Sequence, residues 1–150
     1  MATDVTATHI WLILFKAAKA LERNALDSIA GLGLGLSDFA ILELLLHKGP
    51  QPVNQIGRTV LLSSGSITTA IDRLETRKLV QRAQNAEDRR SRLVELTSAG
   101  RELIEPAFNK HCLDMEESVS ILRPRERQKL VRLLKKLGLH AAARAEPARR

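Results

Sequence analysis

The side chains with the most chemistry to offer lie between Ser63 and Thr97, in the stretch SSGSITTAIDRLETRKLVQRAQNAEDRRSRLVELT. Ile67, Ala70, Ile71 and Leu74 fall on one stripe of a helical wheel, so this face packs inward. Gly65, Thr69, Asp72 and Thr76 lie near the opposite side, flanked by Ser66, Thr68, Arg73 and Arg77. Hydroxyls and guanidinium groups on a face without bulky hydrophobes can enter a groove and bond to phosphates and base edges. A second basic cluster follows at once. Arg82, Arg89, Arg90 and Arg92 stand on or beside the polar tip NAEDRR, and Asp88 is placed to orient one of them by a charge-assisted bond. An arginine at such a tip suits the electronegative minor groove of DNA.

Composition narrows the alternatives. Lys and Arg outnumber Asp and Glu by 24 to 17, a formal +7, so the surface field favours a polyanion or an anionic membrane. One cysteine excludes an intramolecular disulfide framework, and the first residues have neither the basic start nor the cleavage site of a secretory signal. The longest early apolar run, Ile10 to Phe15, is far below the roughly 20 residues that span a bilayer. A cytoplasmic protein without membrane partners is expected. No Ser, His and acid arrangement, phosphate loop or metal-ligand spacing can be assembled, so neither an enzyme nor a cofactor or metal site is expected. His9, His47, His111 and His140 are scattered, and GLGLGL at 31–36 has neither the dinucleotide spacing nor the Walker lysine. It reads as a flexible connector.

The elements that must position the two clusters can be read in order. Thr8 to about Ala30 is helical in composition, with Ile10, Ile13, Leu14, Ala17, Ala18 and Leu21 on one stripe. Trp11, Leu12 and Phe15 extend that stripe round the cylinder, which implies burial against both the home domain and a second chain. Ser37 can cap a core helix from Asp38 to about His47 containing Phe39, Ile41, Leu42 and Leu45. Val53, Ile56, Gly57 and Val60 mark a short helix, and LLSS turns from it into the helix at about 63–78. Two short amphipathic helices in that order are a helix-turn-helix. After Lys78 the period changes to 2, predicting a β-hairpin over about 79–97. Thr97 can cap a long helix to about Ile121, with a kink or break expected at Pro106, and Pro124 suits the first turn of a last helix striped by Leu130, Leu133, Leu134 and Leu137. Residues after His140 lack a core-forming period and are expected to fray.

Over nearly its whole length the chain resembles the MarR family of winged helix-turn-helix transcriptional regulators. Two motifs carry the resemblance: SSGSITTAIDRLETRKLVQR, similar to the family's recognition helix and first wing strand, and DRRSRLVELTSAG, similar to its wing tip and Leu-Thr-x-x-Gly helix start. The resemblance implies a mainly α fold with a small β-wing. A winged helix-turn-helix domain at 37–97 would stand on a helical dimerisation base formed by residues 1–36 and 98–140, with 141–150 a frayed tail. It further implies a homodimer on a pseudo-palindromic site in double-stranded DNA, with Ile10, Leu14, Leu130, Leu134 and Leu137 in the dimer contact. Ser64, Ser66, Thr68, Thr69, Arg73, Arg77, Arg89, Arg90 and Arg92 would touch DNA, Asp88 holding Arg90 at the minor groove and Ser63 serving as the helix cap.

An effector pocket between base and winged domain would be lined by Trp11, Phe15 and Phe39, its ligand an aromatic or phenolic molecule that relieves repression. The expected setting is a prokaryotic cytoplasm, at the nucleoid when DNA is bound. Two rival readings remain at this point: a winged-helix protein-interaction module that no longer reads DNA, and a redox sensor acting through Cys112. The second is weakened because the chain has no tyrosine and because His111, adjacent in sequence, points about 100° away on a helix. Cys112 therefore reads as a buried or dimer-facing structural cysteine. Arg123 stands where the family usually has a hydroxyl cap before the last helix.

Overall fold

The computed structural model describes residues 5–85, 88 and 92–145. Among them the chain forms helices α1 (Ala7–Ser28), α2 (Leu36–Lys48), α3 (Val53–Thr59), α4 (Ser64–Thr76), α5 (Ser98–Ser118) and α6 (Pro124–Ala145). Three strands, β1 (Gln51–Pro52), β2 (Val80–Gln84) and β3 (Arg92–Leu96), make an antiparallel sheet in the order β1-β3-β2. The fold is thus mainly α with a small β-wing, a winged helix-turn-helix. Two compact units result, Met1–Met115 and Glu116–Arg150.

The first unit holds the core. Ile41, Leu42 and Leu45 of α2, Ile56 of α3, Ile71 and Leu74 of α4, Val94 of β3 and Ile104 of α5 are almost completely buried. The helical members of this set follow the expected 3.6-residue period, and burying each such side chain stabilises the fold by about 1.5–3 kcal/mol. Val80 pairs with Leu96 and Arg82 with Val94 across the hairpin. Gln51 pairs with Val94 on the other side of β3, in a strand that no local signal marks. Proline is tolerated at position 52 because β1 is an edge strand.

Several boundaries differ from those expected. Helix α2 starts at Leu36 with Gly35 as its cap and no side-chain cap bond, so Ser37 lies inside the first turn. The 31–36 segment is not a loose connector. Leu34 is buried, and Gly31 and Gly33 take left-handed φ angles of 88° and 64°, which lets the chain double back between buried Ile29 and Leu34. Helix α5 runs through Pro106 without a break. Proline leaves the Glu102 carbonyl without its helical donor, but both residues are exposed and water can serve that oxygen. Thr97 caps α5 as expected, its Oγ1 accepting from the Gly100 N–H at 3.0 Å.

Helix α1 is covered far less than its composition suggests. Only Ser28 of α1 is buried in the single chain, and Ile10, Trp11, Leu12, Ile13 and Phe15 are all about half exposed or more. In the second unit, Glu126 accepts from the Arg123 N–H at 2.8 Å, supplying one half of a capping box where the hydroxyl is missing. Pro124 occupies the first position of α6, which continues past His140 to Ala145. Leu130, Leu134 and Leu137 of α6 are exposed. No helix among the described residues is long and apolar enough to cross a membrane.

Candidate nucleic-acid interface

The site is built on α4. Ser63 has extended backbone angles, and its Oγ accepts from the Ser66 N–H at 3.3 Å, so it is the N-cap, as expected. Ile67, Ala70, Ile71 and Leu74 anchor the inner face at 3 % exposure or less, which fixes what the outer face presents. Gly65, Ser66, Thr68, Thr69, Asp72 and Arg73 are exposed there; Ser64 begins the helix. Ser63, Gly65, Ser66, Thr69 and Arg73 line a groove of about 530 Å³ with Ser37 of α2. The Thr69 hydroxyl donates to the Gly65 carbonyl at 3.0 Å, so only lone pairs of its oxygen are turned outward. Ser63 donates to the Ser66 oxygen at 2.9 Å, which leaves the Ser66 hydroxyl hydrogen for an acceptor beyond the helix.

Three arginines of this region, Arg73, Arg77 and Arg82, are held by the fold itself. Arg73 grips the buried carboxylate of Asp38 through Nη2 and Nε, at 2.6 and 3.2 Å, while half of its side chain stays exposed. That hydrogen bond, and then the charge of Asp38, raise the guanidinium pKa above its ordinary value, so Arg73 is cationic at every working pH. Arg77 donates to the carbonyls of Leu32 and Gly33, at 2.9 and 2.7 Å. Arg82 of β2 reaches back to α4, pairing with Asp72 at 2.6 Å and with Glu75. The bond to Asp72 raises its pKa more than partial burial lowers it, and the charges of Glu75 and Asp72 add to the rise. The acid partners Asp38 and Glu75 are not recognisable as such in sequence; a bidentate pair across 35 positions, as between Asp38 and Arg73, has no local signature.

In the wing, Arg92 opens β3 opposite Gln84 and is exposed, as is Asp88. Arg89 and Arg90 lie outside the described residues, and so does the side chain of Ser64. The residues expected to form an effector pocket fall in two environments. Trp11 and Phe15 stack at 5.9 Å on the exposed side of α1, whereas Phe39 is buried against the His111 ring at 4.9 Å. His111 also meets the Ser28 hydroxyl at 2.6 Å. Since the hydroxyl hydrogen of Ser28 goes to the Ala25 carbonyl, Nδ1 of His111 carries a hydrogen and donates. Cys112 is exposed in the chain rather than buried, because its position on α5 turns away from the core side marked by Ile104 and Ala107. No group of three or more potential metal ligands occurs among the described residues.

Comparison with known proteins places this geometry. The MarR family model matches residues 34–91, which contain the whole helix-turn-helix and the first wing strand, β2. The chain is 36 % identical over 132 residues to the HTH-type transcriptional regulator MhqR of Bacillus subtilis, covering 88 % of this chain and 91 % of that one. The chain belongs to the MarR family of transcriptional regulators. Its fold is similar to that of Bordetella bronchiseptica BpsR, whose DNA binding is regulated by 6-hydroxynicotinic acid (26 % identity, TM-score 0.77, 86 % of this chain and 98 % of that one). It is also similar to that of a cysteine-to-serine mutant of MarR from E. coli, solved with operator DNA (23 % identity, TM-score 0.78, 90 % and 99 % covered). These relatives are transcriptional regulators, and the family is a DNA-binding one.

Proposed function

We propose that this MarR-family protein is a homodimeric, sequence-specific repressor that grips double-stranded DNA with two copies of α4 and the wing and lets go when a small aromatic ligand binds. The observation that carries this reading is the outer face of α4: exposed hydroxyls and Arg73 beside a basic hairpin, with the face's one central acid, Asp72, neutralised by Arg82. In such a complex the charges supply affinity and the helix supplies specificity. Ser64, Ser66, Thr68 and Thr69 would meet the major groove, and Arg89, Arg90 and Arg92 the backbone and minor groove, with Asp88 orienting the tip. A partner-binding module that ignores DNA is less well supported, since that use of α4 calls for outward hydrophobes or unpaired acids.

A second copy is the natural occupant of the exposed apolar faces. Ile10 of α1 and Leu130, Leu134 and Leu137 of α6 are each 40–47 % exposed in the single chain, and Leu14 is half-buried. Exposed apolar surface of this kind marks an interaction site. The stacked rings of Trp11 and Phe15 offer an aromatic platform on α1, and the regulation of BpsR by 6-hydroxynicotinic acid gives the ligand class. A cytoplasmic, nucleoid-associated setting follows from that role.

The test is to recover bound fragments from the source genome and titrate them with 6-hydroxynicotinic acid and other aromatic acids. The expected result is paired half-sites about one helical turn apart, released by at least one acid. Uniform recovery of all sequences would refute the specific-reader reading, and half-sites without symmetry would refute the dimer.

A further inference from the structure

Arg77 follows directly on α4 and is the cation of this region most completely committed to the protein backbone. Its Nη1 donates to the Gly33 carbonyl at 2.7 Å and its Nη2 to the Leu32 carbonyl at 2.9 Å, while its own N–H closes the last turn of α4 on Arg73. The two carbonyls belong to the 29–35 segment that joins α1 to α2. That segment is itself pinned, with Ile29 and Leu34 buried on either side of the bonded pair and Gly33 in a left-handed conformation. A guanidinium fork can satisfy two adjacent carbonyls at once; an ammonium on a flexible stem cannot hold both in a fixed plane.

We propose that Arg77 is a positioning residue for DNA reading rather than a DNA contact. Its fork ties the C-terminal end of the recognition helix to the segment entering from α1, and so sets the angle at which α4 meets the groove. The proposal rests on the reading that α4 reads DNA. It also gives helix α1 a direct mechanical connection to α4, through the chain from Ser28 to Gly33.

The experiment compares wild type, R77K and R77A on a recovered operator and on a random-sequence duplex of equal length, across a salt series. Amide hydrogen exchange of residues 31–36 is followed in parallel. Both variants are expected to lose about fivefold to thirtyfold in operator affinity, the ratio that one or two kcal/mol carries. In R77K, random-duplex affinity and the salt slope stay at the wild-type values, and exchange at 31–36 rises in both variants. Three results would overturn the proposal. One is full operator affinity in R77K with a salt slope shallower by about 0.9 in R77A, the signature of one lost phosphate contact. Another is unchanged exchange at 31–36. The third is an equal loss on operator and random duplex in R77K, which would mean general damage to the fold. If wild type selects no operator at all, the DNA-reading assignment of α4 fails, and with it the positioning role.

Discussion

Gly100 offers the sharpest test of how the wing is attached to the rest of the chain. It lies in the first turn of α5 and is buried, and a Cβ added there would stand 1.9 Å from the Leu79 carbonyl oxygen and 2.9 Å from its carbon. Both are backbone atoms at the entry to β2, so no side-chain rotation relieves the clash; α5 and the hairpin must separate by about 1 Å in an interior packed as densely as a crystal. Three contacts at this junction depend on their distance. The Thr97 N–H donates to Leu79 at 3.1 Å, the Thr97 hydroxyl donates to Lys78 at 2.7 Å, and the Gly100 N–H donates to Thr97 at 3.0 Å.

Loss of the cap costs about 1 kcal/mol, loss of a backbone bond about 1 kcal/mol, and the overpacking itself about 1–3 kcal/mol. Alanine's better helix propensity returns about 1 kcal/mol. Gly100→Ala should therefore destabilise the protein by about 2–4 kcal/mol in urea unfolding. Gly65→Ala, where nothing lies within 4 Å of the new Cβ, is the control and should leave stability equal or slightly higher. A Gly100→Ala protein within about 0.5 kcal/mol of wild type would refute the contact between α5 and Leu79, and with it this account of the glycine in the Leu-Thr-x-x-Gly motif.

Lys78 has a φ of 58°, so Lys78→Ile should cost at least about 1 kcal/mol while Lys78→Gly should cost nothing, read from unfolding midpoints. Arg82→Ala uncovers Asp72 and Glu75 beside the groove and should weaken binding to any DNA, whereas adding Asp72→Asn and Glu75→Gln to it should restore most of the affinity; an equal loss in the triple variant would count against the charge argument. Asp38→Asn leaves Arg73 with a poorer partner and should lower stability by about 1–3 kcal/mol. Because the raised Arg73 pKa means its proton is bound below the unfolded-state value, the guanidinium's share of this contact should persist undiminished from neutral pH to pH ~10, and a loss of the wild type's advantage over Asp38→Asn across that range would contradict it. Thr69→Val should alter the base preferred at one operator position without changing the salt slope, measured by selection on random duplexes.

The helices and the hairpin are legible in the sequence because their signals are local. Ile67, Ala70, Ile71 and Leu74 repeat with helical period, and all four are buried. The switch to period 2 after Lys78 marks the wing, and Ser63, Thr97 and Pro124 each start a helix by chemistry confined to one turn. What stays hidden depends on groups far apart in sequence. Strand β1 exists only because β3 offers it an edge, and Gly33 and Leu32 matter because Arg77 arrives from 44 and 45 positions away. The glycine-rich run looks flexible for the same reason: glycine supplies the left-handed angles of a tight folded turn as readily as it loosens a linker. Residue type groups Phe39 with Trp11 and Phe15, yet its neighbour is His111, which spacing along the chain does not indicate.

The internal commitments of the arginines sharpen where sequence preference can arise in the proposed complex. Arg82 is occupied by Asp72 and Glu75, Arg77 by two carbonyls, and Arg73 faces Asp38 with part of its fork. The usual bidentate arginine-to-guanine contact therefore has few candidates on α4, and in the proposed complex the hydroxyls would carry more of the reading. Thr69 has given its hydrogen to Gly65, so toward a base it can only accept. In the major groove the groups that donate are the exocyclic amines of adenine and cytosine. Ser66, whose oxygen already accepts from Ser63, can still donate, and it suits the opposite pattern, the N7 and O6 acceptors of guanine or N7 of adenine. In the proposed complex an α4 built this way would discriminate by the polarity of single hydrogen bonds. Each such contact is weaker than a bidentate pair, so strong selectivity has to come from repeating them in two half-sites at a fixed spacing, which is what the exposed faces of α1 and α6 would provide by pairing with a second copy.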